Sequence, residues 1–453
     1  MDYANMTGVL YPCSVLPSPG EEMSNELMTK DSVNTKIARE ILVLNCGSSS
    51  LKFKMISMPS LEEILGGEVQ RIGAKTSEPS KIVYRVGGKE ETVTKKIVGY
   101  REAFSEVMNL VEMGNKPMPE LFAHRYVHGG TEFRSDAILS REDLPALVRT
   151  KDLAPVHNPP VIDLISYCMD EYPGVPQAII LDTEFHSTIP DYAATYPIPK
   201  EIRNRLGIRK YGFHGISHRY VTEEAARFLG IPMERLNAVS CHLGSGGASL
   251  CAVVNGKSVD NSMGFSPLLG LVMSTRSGDL DPAIVLKMIV YSGGDDAKVN
   301  RILNKKSGVL GLYGSSSDIR DVIKKTLTSD DDRAQTALDV YLWRIKKYLG
   351  AYLTAVGSVD AITFTDTIGE TMPLVRETIC RNMDYFGIEL DEWKNTHIAK
   401  YPADVSTSDS RVRVLVVKTD EETAIAQRAY RLSPVGSELP NLEIEYNVSG
   451  AKE

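Results

Sequence analysis

Seven of the eight histidines fall between residues 124 and 242, in the segments AHRYVHGG, APVHNPP, LDTEFHST, YGFHGISH and SCHLGSGG. His124 and His128 stand four apart, as do His214 and His218, a spacing that invites a metal centre. The context argues against one: there is no HExxH, glycines follow His128 and His214, and softer ligands do not cluster nearby. Each histidine alone reads as a structural, hydrogen-bonded residue, and together they read as a polar cleft. Two arginines stand in loops of small residues, Arg125 in HRYVHGG and Arg276 in MSTRSGDLDPA. A guanidinium grips a carboxylate or phosphate oxygen pair at two points, so two arginines opposed across a cleft suit an anionic substrate. The competing reading pairs Arg276 with Asp279 or Asp281. Asp182 follows an apolar run, where a loop carboxylate holds Mg2+, orients a nucleophile, or caps a helix.

Small residues also recur in a pattern. REILVLNCGSSSLKFKM, residues 39–55, is an apolar run broken by a glycine and three serines, with Asn45 ahead and Lys52 behind. LNAVSCHLGSGGASLCAVVNGK, residues 236–257, repeats it. Both read as strand, turn, strand, which suggests duplicated domains whose turns face each other across a cleft. Turns of small residues let backbone N–H groups converge on an anion with no Cβ in the way. One such turn is plain architecture; the pair, with Asn45, Lys52 and His242 beside it, suggests a phosphate site.

These groups need a frame, and 453 residues are enough for two domains. Strands are expected at REILVLN, LKFKMISM, PQAIILD, LNAVSCHL, ASLCAVV, DAITFT and RVRVLVV, and helices at YREAFSEVMNLVEMG, SHRYVTEEAARFLG, the long RAQTALDVYLWRIKKYLGAYLTAV, MPLVRETICRNMDYFG and TDEETAIAQRAYRL. The alternation is α/β. A net charge of −8 argues against a nucleic-acid binder. No apolar stretch approaches the ~18 to 20 residues of a membrane span. Six scattered cysteines without CxxC spacing read as reduced thiols, the first twenty residues lack a basic n-region, and the cytoplasm is the expected location. By composition, residues 1–38 read as a flexible leader and 444–453 as a frayed tail.

Eight ordered motifs, VLNCGSSSLKF, HRYVHGG, LAPVHNPP, LDTEFHSTIP, YGFHGISH, CHLGSGGAS, VDNSMGFSPLLGLVMSTRSGDLDPA and SGVLGLYGSSSDIRDV, resemble the acetate kinase family from about residue 40 to residue 430. The resemblance implies an α/β fold of duplicated actin-like, ribonuclease H-like domains around a central cleft, and a homodimer. It places an N-terminal domain over 39–184, completed by a C-terminal helix at about 424–443, and a nucleotide-binding domain over 185–423. The implied reaction is reversible transfer of the ATP γ-phosphoryl group to acetate or another short-chain carboxylate, with ADP as the other product and Mg2+ or Mn2+ required. By motif, Arg125, Asp182, His214 and Arg276 would be catalytic, and Asn45 and Glu421 would attend the metal. Ser48, Ser50, Lys52, His157, His242, Leu243, Gly244, Ser245 and Gly246 would contact phosphates. Asp318, Ile319, Arg320, Thr367, Gly369 and Thr371 would line the nucleoside side, and Val127, Val156, Phe213 and Pro267 the acyl pocket.

The chain also departs from the family. Where the family follows the DAITFT strand with a turn of the form GGIGEN, this chain has DTIGETM, so a wall built with Thr367 and Thr371 should differ in shape. HLGSGGAS reads one residue longer than the usual turn, and Glu184 and Ser274 replace small residues. Three readings follow: an ATP-dependent acetate kinase, an acyl kinase with another donor such as pyrophosphate or a preference for propionate, and a weakly active scaffold relative.

Overall fold

The computed structural model describes residues 39–47, 49–73 and 78–433. The expected leader and tail and Ser48 lie outside the described residues.

The first sheet contains β1 (Arg39–Cys46), β2 (Ser50–Met58), β3 (Glu62–Gln70), β4 (Ser80–Val86), β5 (Lys89–Lys95), β6 (Leu121–Tyr126), β7 (Ala137–Leu139) and β8 (Gln177–Leu181), in the order β5-β4-β3-β2-β1-β6-β8-β7. The second contains β9 (Ala238–Leu243), β10 (Ala248–Val254), β11 (Lys257–Asn261), β12 (Ala361–Thr365), β13 (Ala403–Asp404) and β14 (Arg413–Val416), in the order β11-β10-β9-β12-β14-β13. The plan is the same twice. A central strand pairs antiparallel with its hairpin partner and parallel with a later strand, which pairs parallel with another. A short antiparallel strand closes each edge. The expected duplication is therefore present, in a ribonuclease H-like arrangement.

The central strands are apolar on both faces because helices cover both sides. β1 buries its last six residues, β8 all five and β9 all six. One face of the first sheet packs Phe104, Val107 and Val111 of helix Tyr100–Met113 and Leu164, Ile165 and Cys168 of helix Asn158–Glu171. Its other face packs Ile425, Ala426 and Ala429 of helix Glu421–Leu432, which begins before the expected residue 424 and ends at an extended Ser433 rather than running to 443. In the second sheet the 25-residue helix Asp332–Val356, capped by the Asp331 carboxylate, presents Ala337, Tyr341, Ile345, Leu349 and Tyr352 to the core. The opposite face is covered by Val221, Ala225 and Ala226 of helix Gly215–Leu229. That helix serves both sheets, since Ile216 in its first turn packs with the first-sheet cluster.

Two expectations need correction. The helix expected to run to Gly387 stops at Cys380, where Arg381 turns extended and Asn382 adopts φ 58°, before a separate turn at Asp384–Phe386. The β4–β5 hairpin was not anticipated: β5 is exposed throughout, so it carries no apolar alternation, and its signal is the Gly87 and Gly88 pair at φ 56° and 76°. Among the described residues no helix is long and apolar enough to cross a membrane.

A buried ion-pair network ties the C-terminal helix to the first sheet. Arg428, 6% exposed, donates from Nε and Nη2 to the Asp136 carboxylate, 2.7 Å each, and from Nη2 to Glu184 at 3.1 Å. Glu184 also receives Arg219 at 3.2 Å. The acid expected to crowd the cleft is thus absorbed into a clamp between helices Gly215–Leu229 and Glu421–Leu432. Removing Arg428 leaves Asp136 buried without its counter-charge, so Arg428→Ala should lower unfolding stability by about 3 to 5 kcal/mol. A denaturation midpoint equal to wild type would show that the network does not hold this helix.

Candidate active site

The parallel strands of both sheets end on the same cleft, and their carboxyl ends carry the polar residues, where open α/β sheets bind ligands. Asn45, Arg125 and His242 are the penultimate residues of β1, β6 and β9, Asp182 follows β8, Asp366 follows β12, and Thr419 lies three residues past β14. The two small-residue turns match. In β1–β2 the last pair is Cys46 with Leu51, in β9–β10 it is Leu243 with Ala248, and each encloses four residues. Gly47 N–H donates to Ser50 O at 2.8 Å and Gly244 N–H to Gly247 O at 3.0 Å. The second turn is therefore not longer than the first.

Arg125 is held by a two-point contact to Asp182, Nε to Oδ1 at 3.1 Å and Nη2 to Oδ2 at 2.5 Å. Its Nη1 reaches Asn45 Oδ1 at 3.4 Å, and Asn45 Nδ2 donates to Glu422 Oε1 at 3.0 Å. Burial works against the Arg125 charge, but Asp182, Glu421 and Glu422 outweigh it and hold the pKa above the ordinary value. Asp182 is thus neither a helix cap nor an open carboxylate; it orients Arg125. Lys52 is exposed on β2, and it is Lys54, two residues on, that pairs with Asp420 at 2.8 Å.

Arg276 has no such partner. Its Nη1 donates to Pro267 O at 2.8 Å and its Nη2 to Gly246 O at 3.2 Å, and among the described residues it makes no ion pair. Asp279 is engaged by Gly270 N–H and the Tyr348 hydroxyl, and Asp281 caps helix Pro282–Tyr291, so neither serves Arg276. Burial pushes its pKa down to about 10. A Cβ on Gly247 would lie 2.8 Å from Arg276 Nη2 and 3.4 Å from the His214 ring, so both groups flank the second turn. Exposed Ser245 sits at the crest of that turn, and Ser274 Oγ donates to Gly246 O at 3.3 Å.

The histidines sort into roles by their partners. His124 contacts Gln177 Oε1 at 2.8 Å, His128 accepts from Gly130 N–H at 3.1 Å, and His186 lies 2.8 Å from Ser258 Oγ; all three are buried and structural. His214, at φ 59°, caps helix Gly215–Leu229 and has Nδ1 2.9 Å from Ser249 Oγ, which in turn is 2.8 Å from His218 Nε2. His157 Nδ1 is buried with no hydrogen-bond partner among the described residues. The charges of Arg125 and Arg276 both act on the His157 and His214 rings, so these four groups share one cleft. His242 packs against His214 with the rings tilted by 33° and their centroids 4.3 Å apart, and has Nδ1 2.8 Å from Ser217 Oγ and Nε2 3.0 Å from Asp366 Oδ2. Both His242 nitrogens are therefore engaged, which was not expected of a phosphate donor.

With this arrangement in view, residues 40–427 match the family model described as Acetokinase family. The chain belongs to that family. It is 43% identical over 394 residues to the acetate kinase of Clostridium kluyveri, covering 86% of this chain and 96% of that relative. It superposes on Porphyromonas gingivalis acetate kinase with a TM-score of 0.79 and 35% identity, covering 87% of this chain and all of that one. A propionate kinase from Francisella tularensis subsp. tularensis SCHU S4 aligns with a TM-score of 0.79 and 34% identity over 86% of this chain and 98% of that one. The acetokinase frame makes the chain a phosphotransferase acting on carboxyl groups, with the duplicated actin-like fold described above.

The remaining acetokinase positions fall as follows. Val127 and Phe213 are buried in one cluster, Val156 is 41% exposed, and Pro267 is half-buried beside Arg276. Asp318 caps helix Ile319–Thr328 and is gripped by Arg320 at 2.6 Å, with Ile319 buried behind. Thr367 and Thr371 lie in the short helix Asp366–Thr371, with the Thr371 hydroxyl on Thr367 O at 2.6 Å. The positive φ belongs to Asp366, at 63°, so Thr367 is not strained. Gly369 keeps its place because a Cβ would lie 3.3 Å from Phe364 C. Sequence reasoning missed Asp366, Ser249, Glu370 and Arg376. Buried Arg376 donates to Gly369 O and Glu370 O, 2.7 and 2.9 Å, closing the open end of that helix, and the helical apolar pattern around it gave no hint.

Burial lowers six histidine pKa values, to about 4 for His124, His128, His157 and His186 and well below the ordinary value for His214 and His218. The unfolded chain takes up those protons near pH 6.5, so their contribution is full above that pH and lost as pH falls toward 4, at about 1.4 kcal/mol per pH unit for each ring. His242 runs the other way: burial opposes its charge, but Asp366 prevails and its pKa rises. Urea midpoints should therefore fall steeply from pH 6.5 to 4.5, and a flat profile over that range would contradict the neutral, buried rings.

Proposed function

We propose that this acetokinase is an acetate kinase, carrying the γ-phosphoryl group of ATP reversibly to acetate to give acetyl phosphate and ADP. One observation carries the reading: the half-buried Arg276 guanidinium makes no ion pair among the described residues, and it flanks a small-residue turn beside His214. An acetate oxygen attacks phosphorus, the bond to the bridging oxygen of ADP breaks, and its electron pair leaves with ADP. No base is needed, because acetate is ionised at neutral pH. The difficulty is the approach of two anions. Arg276, Arg125 and the N–H groups of the two turns supply the compensating charge, and His157 and His214, kept neutral by burial, donate hydrogen bonds without competing as cations. Asp182 positions Arg125, and Val127, Val156, Phe213 and Pro267 receive the methyl group. Such a pocket separates acetate from propionate by only ~1 to 3 kcal/mol.

Among the described residues no group of three or more His, Cys, Asp or Glu forms a metal cage. Mg2+ does not need one, since it keeps waters and takes one or two protein oxygens plus phosphate oxygens. Asn45 and Glu421 fit that requirement: the Asn45 amide is fixed by Glu422, and the Glu421 carboxylate acts on Arg125 and His242. When bound, the ion would supply charge neutralisation on the donor phosphates.

The domains fall over 39–184 with the C-terminal helix, and 185–423. Among the described residues five cysteines are buried free thiols, which supports a reducing, cytoplasmic setting. A homodimer is supported by helix Pro282–Tyr291, which buries no residue and exposes Leu286, Val290 and Tyr291 at 65%, 81% and 94%. Beside it lies a groove lined by Ile198, Ile208, Leu268 and Leu280. Exposed apolar surface of this kind marks an interface.

Purified protein with acetate, Mg2+ and ATP should give a hydroxylamine-trapped acyl phosphate; product with pyrophosphate or GTP alone would replace ATP as the donor, and none with any donor would overturn the reading. Arg276→Met should lower kcat by about 10^2 to 10^3 while the melting temperature stays equal or rises, because a half-buried charge with no ion-pair partner has been removed. Leu286→Glu with Val290→Glu should convert a dimer to a monomer in light scattering, and a wild-type monomer would refute the interface.

A further inference from the structure

The turn of the second sheet carries an acid where a phosphate site needs open space. In the family pattern GGIGEN, the first glycine corresponds to Asp366 of DTIGETM. Asp366 holds the left-handed conformation that glycine would take freely, with its N–H donating to Glu370 Oε1 at 2.9 Å. Glu370 Oε1 also accepts from Thr419 N–H at 3.0 Å, so the strained residue is clamped between β12 and the segment after β14. Its Oδ1 accepts from the Thr367 hydroxyl at 2.9 Å, and its Oδ2 from His242 Nε2 at 3.0 Å. A Cβ on Gly244 would lie 2.5 Å from Oδ2, so the carboxylate rests against the turn itself. Arg276 and His214 flank the same turn at Gly247. The charges of Asp318 and Asp366 both act on the Tyr341 hydroxyl, which puts Asp366 on the side of the nucleoside wall.

We propose that Asp366 is a donor-specificity residue: its carboxylate fills the Gly244 end of the turn, occupies His242, and opposes the non-transferred phosphates of a nucleotide. The inference rests on the phosphoryl-transfer reading above and adds to it the residue that sets nucleotide affinity. A phosphoryl group held between Arg276 and His214 has the rest of its donor passing Asp366 on the way to Thr367 and Ile319. Two negative groups then compete for one imidazole and one set of turn N–H groups. The penalty falls on nucleotide binding, because acetate and the transfer point lie at the Arg276 end. A purely structural Asp366 would behave differently, since its removal would lower the melting temperature and kcat without improving affinity.

Asp366→Asn keeps the shape and removes the charge, and Asp366→Gly removes the side chain. Mg·ADP affinity by calorimetry and the KM for ATP at saturating acetate should both improve by about tenfold in the two variants, as expected for one hydrogen bond to a charged group, His242 now donating to a phosphate rather than to Asp366. The KM for acetate should stay unchanged. Equal or weaker ADP affinity in Asp366→Asn, with a wild-type melting transition, would overturn the proposal; should Asp366→Gly fail to fold, Asp366→Asn decides it alone. Calorimetry needs no turnover, so a wild type that makes no acyl phosphate from any donor would sink the kinase reading while the ADP measurement still judges Asp366.

Discussion

Two guanidinium groups share the cleft, and only one of them has a carboxylate. Arg125 is charge-compensated by Asp182 and by the acids that open the C-terminal helix, so it is a fixed part of the wall. Arg276 leans on two carbonyl oxygens, and burial alone lowers its pKa. A half-buried cation with no carboxylate beside it is held at a cost in desolvation that no ion pair compensates, and the remainder of the fold must offset that cost. The imbalance is useful only if an external anion completes it, which makes the empty charge the defining property of the site.

The helix Gly215–Leu229 is what brings the two halves of this machinery into register. Its body packs on the second sheet and its first turn on the first, so His214 at its start is placed where the two strand ends meet. Gly215 permits the approach: a Cβ there would lie 2.2 Å from Asp182 O, which instead accepts the Gly215 N–H at 2.8 Å. His214 pays for this junction with a left-handed backbone, and Asp366, on the far side of their shared neighbour His242, adopts the same conformation. Non-glycine residues in that region cost of order 1 to 3 kcal/mol each and concentrate where function over-determines the geometry.

Much of this was legible from residue pattern because the relevant signals are local. The turn residues, the buried runs of β1 and β9 and the 3.6-residue stripe of the long helix each state their own structure, and the repeat of strand, turn, strand announced the duplication. What stayed hidden depends on pairing across long separations. That Asp182 spends both oxygens on Arg125, that Lys54 rather than Lys52 makes the ion pair, and that Glu184 joins Arg428 are facts about residues 57, 366 and 244 positions apart. Periodicity cannot report these. Asp366 was hidden for another reason: the β-branched Thr367 is the more visible departure from GGIGEN, whereas the positive φ falls one residue earlier.

The neutral histidines and the Asp366–His242 pair show how the cleft divides its electrostatics. At the Arg276 end, burial keeps imidazoles uncharged, so the positive field belongs to guanidinium groups whose charge does not titrate near neutrality. At the Gly244 end the opposite choice is made: an acid and an imidazole neutralise one another, each favouring the charged form of its partner. One end therefore stays hungry for an anion and the other is already satisfied. A ligand that presents a single phosphoryl group to the first end meets little resistance, whereas one that also extends along the turn must displace an internal partner, so selectivity arises from competition rather than from an added contact.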